Sequence, residues 1–167
     1  MLKIFAPKRN GIVVEIKDFL APSQAMIGVR AADKNRLLRE LAHRAAVALQ
    51  LNEDTISAAL LKREALGSTG TGACIAIPHA RLESIAKPFG MLVRLAKAID
   101  FDSIDGRPVD VVFLLLLPTE SRGEQLNALA CVARQLRDAQ TIRDVRHAAD
   151  DAALYHAVAP NSGPRKP

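Results

Sequence analysis

Gly67-Ser68-Thr69-Gly70-Thr71-Gly72-Ala73-Cys74-Ile75-Ala76-Ile77-Pro78-His79-Ala80-Arg81 is the stretch from which the 167-residue chain is best read. A glycine-rich loop runs into a short apolar segment, predicted as a strand over 74–77. Pro78 stops that segment, because proline cannot donate to a sheet ladder, and a histidine follows at once. Loop, strand, stop and histidine place an imidazole at the end of a rigid element.

Upstream, apolar periodicity predicts a helix over 52–66, with Gly67 in the position after the helix that favours glycine. Ile56, Ala59 and Leu60 mark its buried face. Arg63 stands at i+7 from Ile56 and i+3 from Leu60, so it points with the apolar side toward the glycine loop. Two readings of it are open. It can snorkel to water or cap the last carbonyls, or it can bind an anion beside His79. A preceding helix is predicted from Asp33 as N-cap, burying Leu38, Leu41, Ala45 and Ala48. Residues 25–29 read as a strand, and 12–16 as either a short strand or the lead-in to Ile16-Lys17-Asp18-Phe19-Leu20.

Downstream, a loop is predicted through Lys87-Pro88, then a strand over 90–95. Asp105-Gly106-Arg107-Pro108 is a turn signal. The nearly continuous apolar run over 109–117 reads as a central strand buried on both faces. Ser121 and Glu124 fit a capping box opening a helix that buries Leu126, Leu129, Ala133 and Leu136. Helices over 141–148 and 151–158 follow. His43, His147 and His156 read as structural or exposed. Helices and strands thus alternate, which predicts a single α/β domain with a mixed parallel/antiparallel sheet flanked by helices on both faces. The expected organisation is an N-terminal extension (1–14), the domain (15–158) and a disordered tail (159–167).

Composition narrows the function. The chain is 49% hydrophobic, as an ordinary core requires. Its two cysteines, Cys74 and Cys131, are far apart and offer neither a disulfide framework nor a zinc site. No apolar run approaches the roughly 20 residues of a spanning helix, and the N-terminal apolar stretch is broken at Pro7, so a cytoplasmic protein without membrane insertion is expected. The net charge of +5 is spread along helices and termini, and aromatics make up 4% of the chain, so no nucleic-acid partner is expected.

The chemistry of the central stretch is reached by exclusion. Gly67 and Gly72 have P-loop spacing, but Ala73 and Cys74 stand where a lysine and a hydroxyl are needed. The third glycine of a dinucleotide fingerprint is missing, there is no G-x-S-x-G elbow, and His79 has no partner at metal-ligand spacing. No metal or cofactor is therefore expected. What is left is a histidine beside glycine-rich backbone. Neutral imidazole, with a reference pKa of about 6.5, can attack a phosphoryl group. Positioning and charge stabilisation then supply the catalysis. A satisfied core histidine is the competing reading of His79.

Arg63-Glu64-Ala65-Leu66-Gly67-Ser68-Thr69-Gly70-Thr71-Gly72 followed by Ile75-Ala76-Ile77-Pro78-His79-Ala80-Arg81 resembles the active-site region of enzyme IIA domains of the bacterial phosphotransferase system. The likeness is to the fructose/mannitol type, and within it the nitrogen-regulatory branch. It continues through Phe101-Asp102-Ser103-Ile104-Asp105-Gly106-Arg107-Pro108 and Phe113-Leu114-Leu115-Leu116-Leu117-Pro118 to the helix around Leu154-Tyr155. The resemblance implies that His79 accepts a phosphoryl group from an HPr-type phosphocarrier, forming a phosphohistidine, and that Arg63 stabilises the phosphate. It places Gln125, Ser68 and Thr69 in the phosphate environment. It implies a regulatory phosphocarrier that signals through its phosphorylation state, with transporters or sensor kinases as candidate targets. The alternatives are a sugar-transport enzyme IIA that passes phosphate to a IIB component, or a binding module with weakened phosphotransfer.

Two departures accompany the resemblance. Many family members carry a second active-site histidine where this chain has Gln125. Ala73-Cys74 stands where the nitrogen branch often has Asn-Gly.

Overall fold

The computed structural model describes residues 13–120 and 122–160. The capping box read from Ser121 and Glu124, and most of the extension and tail, lie outside the described residues or side chains. The elements are β1 (Ala25–Val29), α1 (Lys34–Leu49), α2 (Glu53–Ala65), β2 (Gly70–Gly72), β3 (Ile75–Ala76), β4 (His79–Leu82), β5 (Phe89–Ile99), β6 (Val109–Pro118), α3 (Arg122–Arg137), α4 (Ala139–His147) and α5 (Asp151–Val158). Val13 to Glu15 form no strand, and a 3-10 turn over Ile16–Asp18 leads Ile16, Phe19 and Leu20 into the core.

Six strands form one sheet in the order β1-β5-β6-β3-β2, with β4 also paired to β6. β6 is the organising strand. Its side chains alternate between two cores, as period-2 geometry requires. Val112, Leu114 and Leu116 pack with Leu38, Leu41, Ala45, Ile56 and Leu60 of α1 and α2. Val111, Phe113, Leu115 and Leu117 pack with Ala128, Val132 and Leu136 of α3, Val145 of α4 and Leu154 of α5. β5 runs antiparallel to β6, while β1 with β5, and β3 and β4 with β6, are parallel. The fold is therefore the single α/β domain expected from the sequence, with a mixed sheet between helical layers.

β3 and β4 are two halves of one pass. Ile75↔Val111 and Ala76↔Val112 continue in unbroken register as His79↔Leu115 through Leu82↔Pro118. Pro78 interrupts the pairing without shifting it, and the Pro78 carbonyl accepts from the Leu115 amide at 2.9 Å. The loop expected after Pro78 is thus corrected to a four-residue strand. Its alternation explains the pairing: Ala80 and Leu82 are buried, while Arg81 is exposed.

Both apolar helix faces also differ from their expected sets. In α1 the buried stripe takes in Leu37, Ala42 and Ala46, and Ala48 has drifted to the exposed side. In α3 the core face is Gln125, Ala128, Cys131, Val132 and Leu136, whereas Leu126 is 67% exposed. Leu126 instead faces the cleft described below, while Leu129 and Ala133, partly buried, pack against the core as expected and Leu129 also borders the cleft.

The glycine loop is shaped by close approach. A Cβ on Gly70 would lie 2.4 Å from Ser103 Oγ and 3.0 Å from Ser103 Cα, so only glycine lets the two backbones meet there. Beyond it, Ala73 and Cys74 form the two-residue turn of the β2–β3 hairpin with φ of 55° and 65°. Both lie in the left-handed region, where a side chain costs about 1–2 kcal/mol per residue. The turn is held from outside: Asp105 Oδ2 accepts from the Ala73 amide at 2.9 Å, and Arg146 Nη2 donates to the Ala73 carbonyl at 3.0 Å. Asn-Gly suits such a turn. The double substitution Ala73→Asn, Cys74→Gly is expected to stabilise the fold by about 1–2 kcal/mol. Urea unfolding measures this; an unmoved or lowered midpoint would refute the strain.

Candidate functional site

His79 is the first residue of β4, at the sheet edge where the two helical layers meet. Both of its ring nitrogens are engaged. Nδ1 lies 2.9 Å from the Ile77 carbonyl oxygen. A carbonyl can only accept, so Nδ1 carries the proton. In the neutral ring Nε2 therefore holds the lone pair, and it accepts from Arg63 Nε at 3.2 Å. Burial and, to a lesser degree, the Arg63 and Arg81 guanidiniums hold the His79 pKa below its ordinary value, against the opposing bond to Ile77. The result is a neutral imidazole with one nucleophilic nitrogen of fixed identity.

Arg63 sits in the last turn of α2, half-buried. Its Nε meets His79 while Nη1 donates to the Gly67 carbonyl at 3.0 Å. Of the two readings left open by its position on the helix, the structure shows that Arg63 stands beside His79, held by the Gly67 carbonyl just past the helix end. A guanidinium carries further donors of the kind that can pair with an anion.

A cleft of about 470 Å³ opens over His79, lined among others by Lys62, Leu66, Arg81, Gln125, Leu126 and Leu129. Leu66 is 82% exposed and Leu126 is 67% exposed, so apolar side chains stand at the rim of the cleft beside the exposed Lys62 and Arg81. Gln125 comes from α3, 2% exposed, with Nε2 donating to the Pro118 carbonyl and Oε1 buried without a partner among the described residues. One Nε2 hydrogen is thus already committed.

Ser68 and Thr69 do not line this cleft. Ser68 Oγ donates to the Phe101 carbonyl at 2.6 Å and accepts from the Gly70 amide at 3.0 Å. Thr69 donates its hydroxyl and its amide to Glu64, at 2.6 and 3.0 Å. The amides of Gly67, Thr69 and Gly70 are all donated within the protein.

Glu64 escaped the sequence reading. It is 7% exposed, and its carboxylate receives Lys34 Nζ at 3.3 Å. The signal was present: Ile56, Leu60 and Glu64 follow at i, i+4 and i+8, which puts the acid on the buried stripe.

The other histidines are remote from this chemistry. His43 pairs with Glu53, His147 meets the Arg143 carbonyl, and His156 lies edge-on to Tyr155. Among the described residues no cluster of three His, Cys, Asp or Glu could hold a metal ion, and no helix is long and apolar enough to cross a membrane.

Substituting Gln125→His tests the departure at this position. An imidazole can donate to Pro118 and still move a proton or carry charge, as an amide cannot. If the missing imidazole matters for phosphoryl acceptance at His79, the variant is expected to speed it, by up to about a hundredfold at the lower end of general acid–base effects. Rapid-quench kinetics would show it, and an unchanged rate would mean that the missing imidazole is irrelevant here.

Comparison with known proteins follows the same residues. Residues 18–160 match the family described as phosphoenolpyruvate-dependent sugar phosphotransferase system, EIIA 2. The chain is 42% identical over 144 residues to a nitrogen regulatory protein of Bradyrhizobium diazoefficiens, covering 86% of this chain and 94% of that protein. Its fold matches the crystal structure of nitrogen regulatory protein IIA-Ntr from Neisseria meningitidis with a TM-score of 0.81 and 27% identity, over 86% of this chain and 98% of that one. The mannitol IIA in the complex of enzyme IIAMTL with phosphorylated enzyme IIBMTL from Escherichia coli shares the fold, with a TM-score of 0.71 at 18% identity over 85% of this chain and 98% of that chain. On the family match and the identity to its relatives, the chain belongs to the EIIA 2 family of the phosphotransferase system.

Proposed function

We propose that this protein is a regulatory phosphocarrier in which His79 accepts a phosphoryl group at Nε2 from an HPr-type donor in the cytoplasm. The observation that carries the reading is the pair of bonds on the ring. Ile77 fixes the proton on Nδ1, and Arg63 stands at the nitrogen left with the lone pair. In the transfer, the Nε2 lone pair forms the new N–P bond as the donor's N–P bond breaks. The electron pair of that bond stays with the departing donor imidazole. Arg63 must release Nε2 for this and then turns its donors to the phosphoryl oxygens, whose charge is spread equatorially in a loose transition state. The apolar lip at Leu66 and Leu126 and the basic Lys62 and Arg81 suit a protein-borne anionic donor.

A phosphoryl group adds negative charge to a cleft that is basic without it, which supports signalling by a change of interface. The name given to the relatives favours regulation over sugar transport. Ser68, Thr69 and Gln125 then shape the phosphate environment, the first two by holding the loop and the last from the cleft wall.

Reconstitution with phosphoenolpyruvate, enzyme I and an HPr-type carrier tests the proposal. The expected product is an acid-labile phosphoryl group that disappears in His79→Ala. A folded wild-type protein that takes no label would overturn it. Rapid onward transfer to a IIB component would shift the reading to sugar transport.

A further inference from the structure

Two neighbouring residues of one helix turn reach the two ring nitrogens of His79 by different routes. Arg63 touches Nε2 directly. Glu64 connects to Nδ1 through the backbone. Its carboxylate receives the Thr69 amide and hydroxyl, the Thr69 carbonyl accepts from the Ile77 amide at 2.9 Å, and the Ile77 carbonyl meets His79 Nδ1 at 2.9 Å. Pro78 makes the last link stiff, because a residue before proline is confined to extended backbone. Anchoring the Ile77 amide therefore sets where its carbonyl points. Lys34 holds the far end of the chain, bridging Glu64 at 3.3 Å and Asp102 at 2.7 Å. Ser68 clamps the other side of the same loop to Phe101.

A buried carboxylate is a costly way merely to close a loop. Desolvation penalises it, and apolar replacements of buried ion pairs are often neutral or stabilising. Here the carboxylate is the one group that takes both donors of Thr69 at once, so it fixes the loop in rotation as well as in position.

We infer that Glu64, held by Lys34, is a positioning residue that fixes the tautomer of His79 through Thr69 and Ile77, and so keeps the lone pair on Nε2. This rests on the phosphoryl-acceptor reading for its purpose, but its physical content is a statement about the ring that can be measured without any donor.

Three variants of the full chain test it: Glu64→Ala, Glu64→Gln and Thr69→Val. Each is checked for folding by circular dichroism. The ring-nitrogen shifts of His79 are then read by 15N NMR above the imidazole pKa, and acceptance is timed with labelled HPr-type carrier. The wild type is expected to show one form, protonated on Nδ1. Glu64→Ala is expected to show a mixture of both tautomers and to accept phosphate about tenfold to a hundredfold more slowly, the range for a misplaced reacting group. Glu64→Gln keeps an acceptor for the Thr69 amide and is expected to recover most of the tautomer bias and rate. A role confined to stability would lower the melting temperature and leave the tautomer alone.

Should Glu64→Ala fail to fold, Thr69→Val decides, since it removes only the hydroxyl; a partial tautomer mixture supports the inference. A folded Glu64→Ala or Thr69→Val with a single wild-type tautomer overturns it. If the wild type takes no label while the variants still change the tautomer, the acceptor reading falls and the positioning role stands.

Discussion

Replacing Arg63 with methionine is expected to slow phosphoryl acceptance at His79 by about a hundredfold to a thousandfold, the usual loss when one preorganised donor is taken from a transition-state charge. The same substitution is expected to raise the His79 pKa. The guanidinium 3.2 Å from Nε2 opposes a second positive charge on the ring, and its removal also admits water to a half-buried imidazole. The sign of the pH effect follows. Acceptance needs the neutral ring, so activity falls as pH drops through the His79 pKa. In the wild type that fall lies below the ordinary value of about 6.5, and in Arg63→Met it moves to higher pH. Arg63→Lys separates the two effects. It keeps a positive charge near the ring but loses the planar fork, so the pKa should stay low while the rate falls. NMR titration of His79 with rapid-quench kinetics would show both, and a rate within a fewfold of wild type in Arg63→Met would remove arginine from the mechanism.

The depressed pKa has a counterpart in stability. Folding excludes a proton from His79 that the unfolded chain binds below about 6.5, so acidification through that window destabilises the fold through this group. His43, raised by its hydrogen bond and charge pairing with Glu53, acts in the opposite sense.

A large loss of stability away from the cleft is expected at Arg94. From β5 its Nη1 donates to the carbonyls of Val145, Arg146 and Ala148 at 2.9, 3.0 and 2.9 Å, closing the C-terminus of α4. These are carbonyls that a helix end leaves unpaired, and a cation there also complements the helix dipole. Arg94→Met retains much of the stem and strips the donors. It is expected to cost about 2–3 kcal/mol and to lower Tm by about 5–10 °C. Amide exchange in α4 should quicken as well. Arg146 at the end of that helix bridges to Asp110 and to the β2–β3 turn, so the turn should loosen with it. An unchanged Tm would mean that water replaces the guanidinium without loss.

Much of this was legible before any coordinates, for physical reasons that differ by residue. β6 was legible because a strand buried on both faces leaves an uninterrupted apolar run. His79 drew attention by its place directly after Pro78, but that place left a satisfied core histidine open, and only the family resemblance favoured the acceptor reading. Arg63 was legible because a cation on an apolar helical face must find a partner. Glu64 occupies an even more buried position on that face and was missed, since carboxylates are assumed to face water. β4 was hidden by Pro78, which breaks the hydrogen-bond ladder without ending the strand's register. Leu126 was misassigned because an apolar residue on α3 can serve the core or the lip of a cleft, and periodicity does not tell these apart. The resemblance set Ser68 and Thr69 in the phosphate environment; that their hydroxyls bond to Phe101 and Glu64 is something only three-dimensional contacts reveal.

The unbroken register across Pro78 makes chain length between Ile75 and Leu82 a matter of parity. Ile75, Ile77 and His79 are odd positions of one pass along β6, and Ala76, Ala80 and Leu82 are the even ones, packed in the opposite core. Deleting or inserting one residue there would exchange the two sets. The imidazole would turn into the α1–α2 layer and a small apolar residue would face the cleft. Such a change cannot be absorbed gradually, as a poor side chain can, because there is no half-step between the faces of a sheet. The turn over residues 83–88 pairs with no strand and can absorb a change of one residue, whereas the same change between Ile75 and Leu82 would carry His79 away from the cleft.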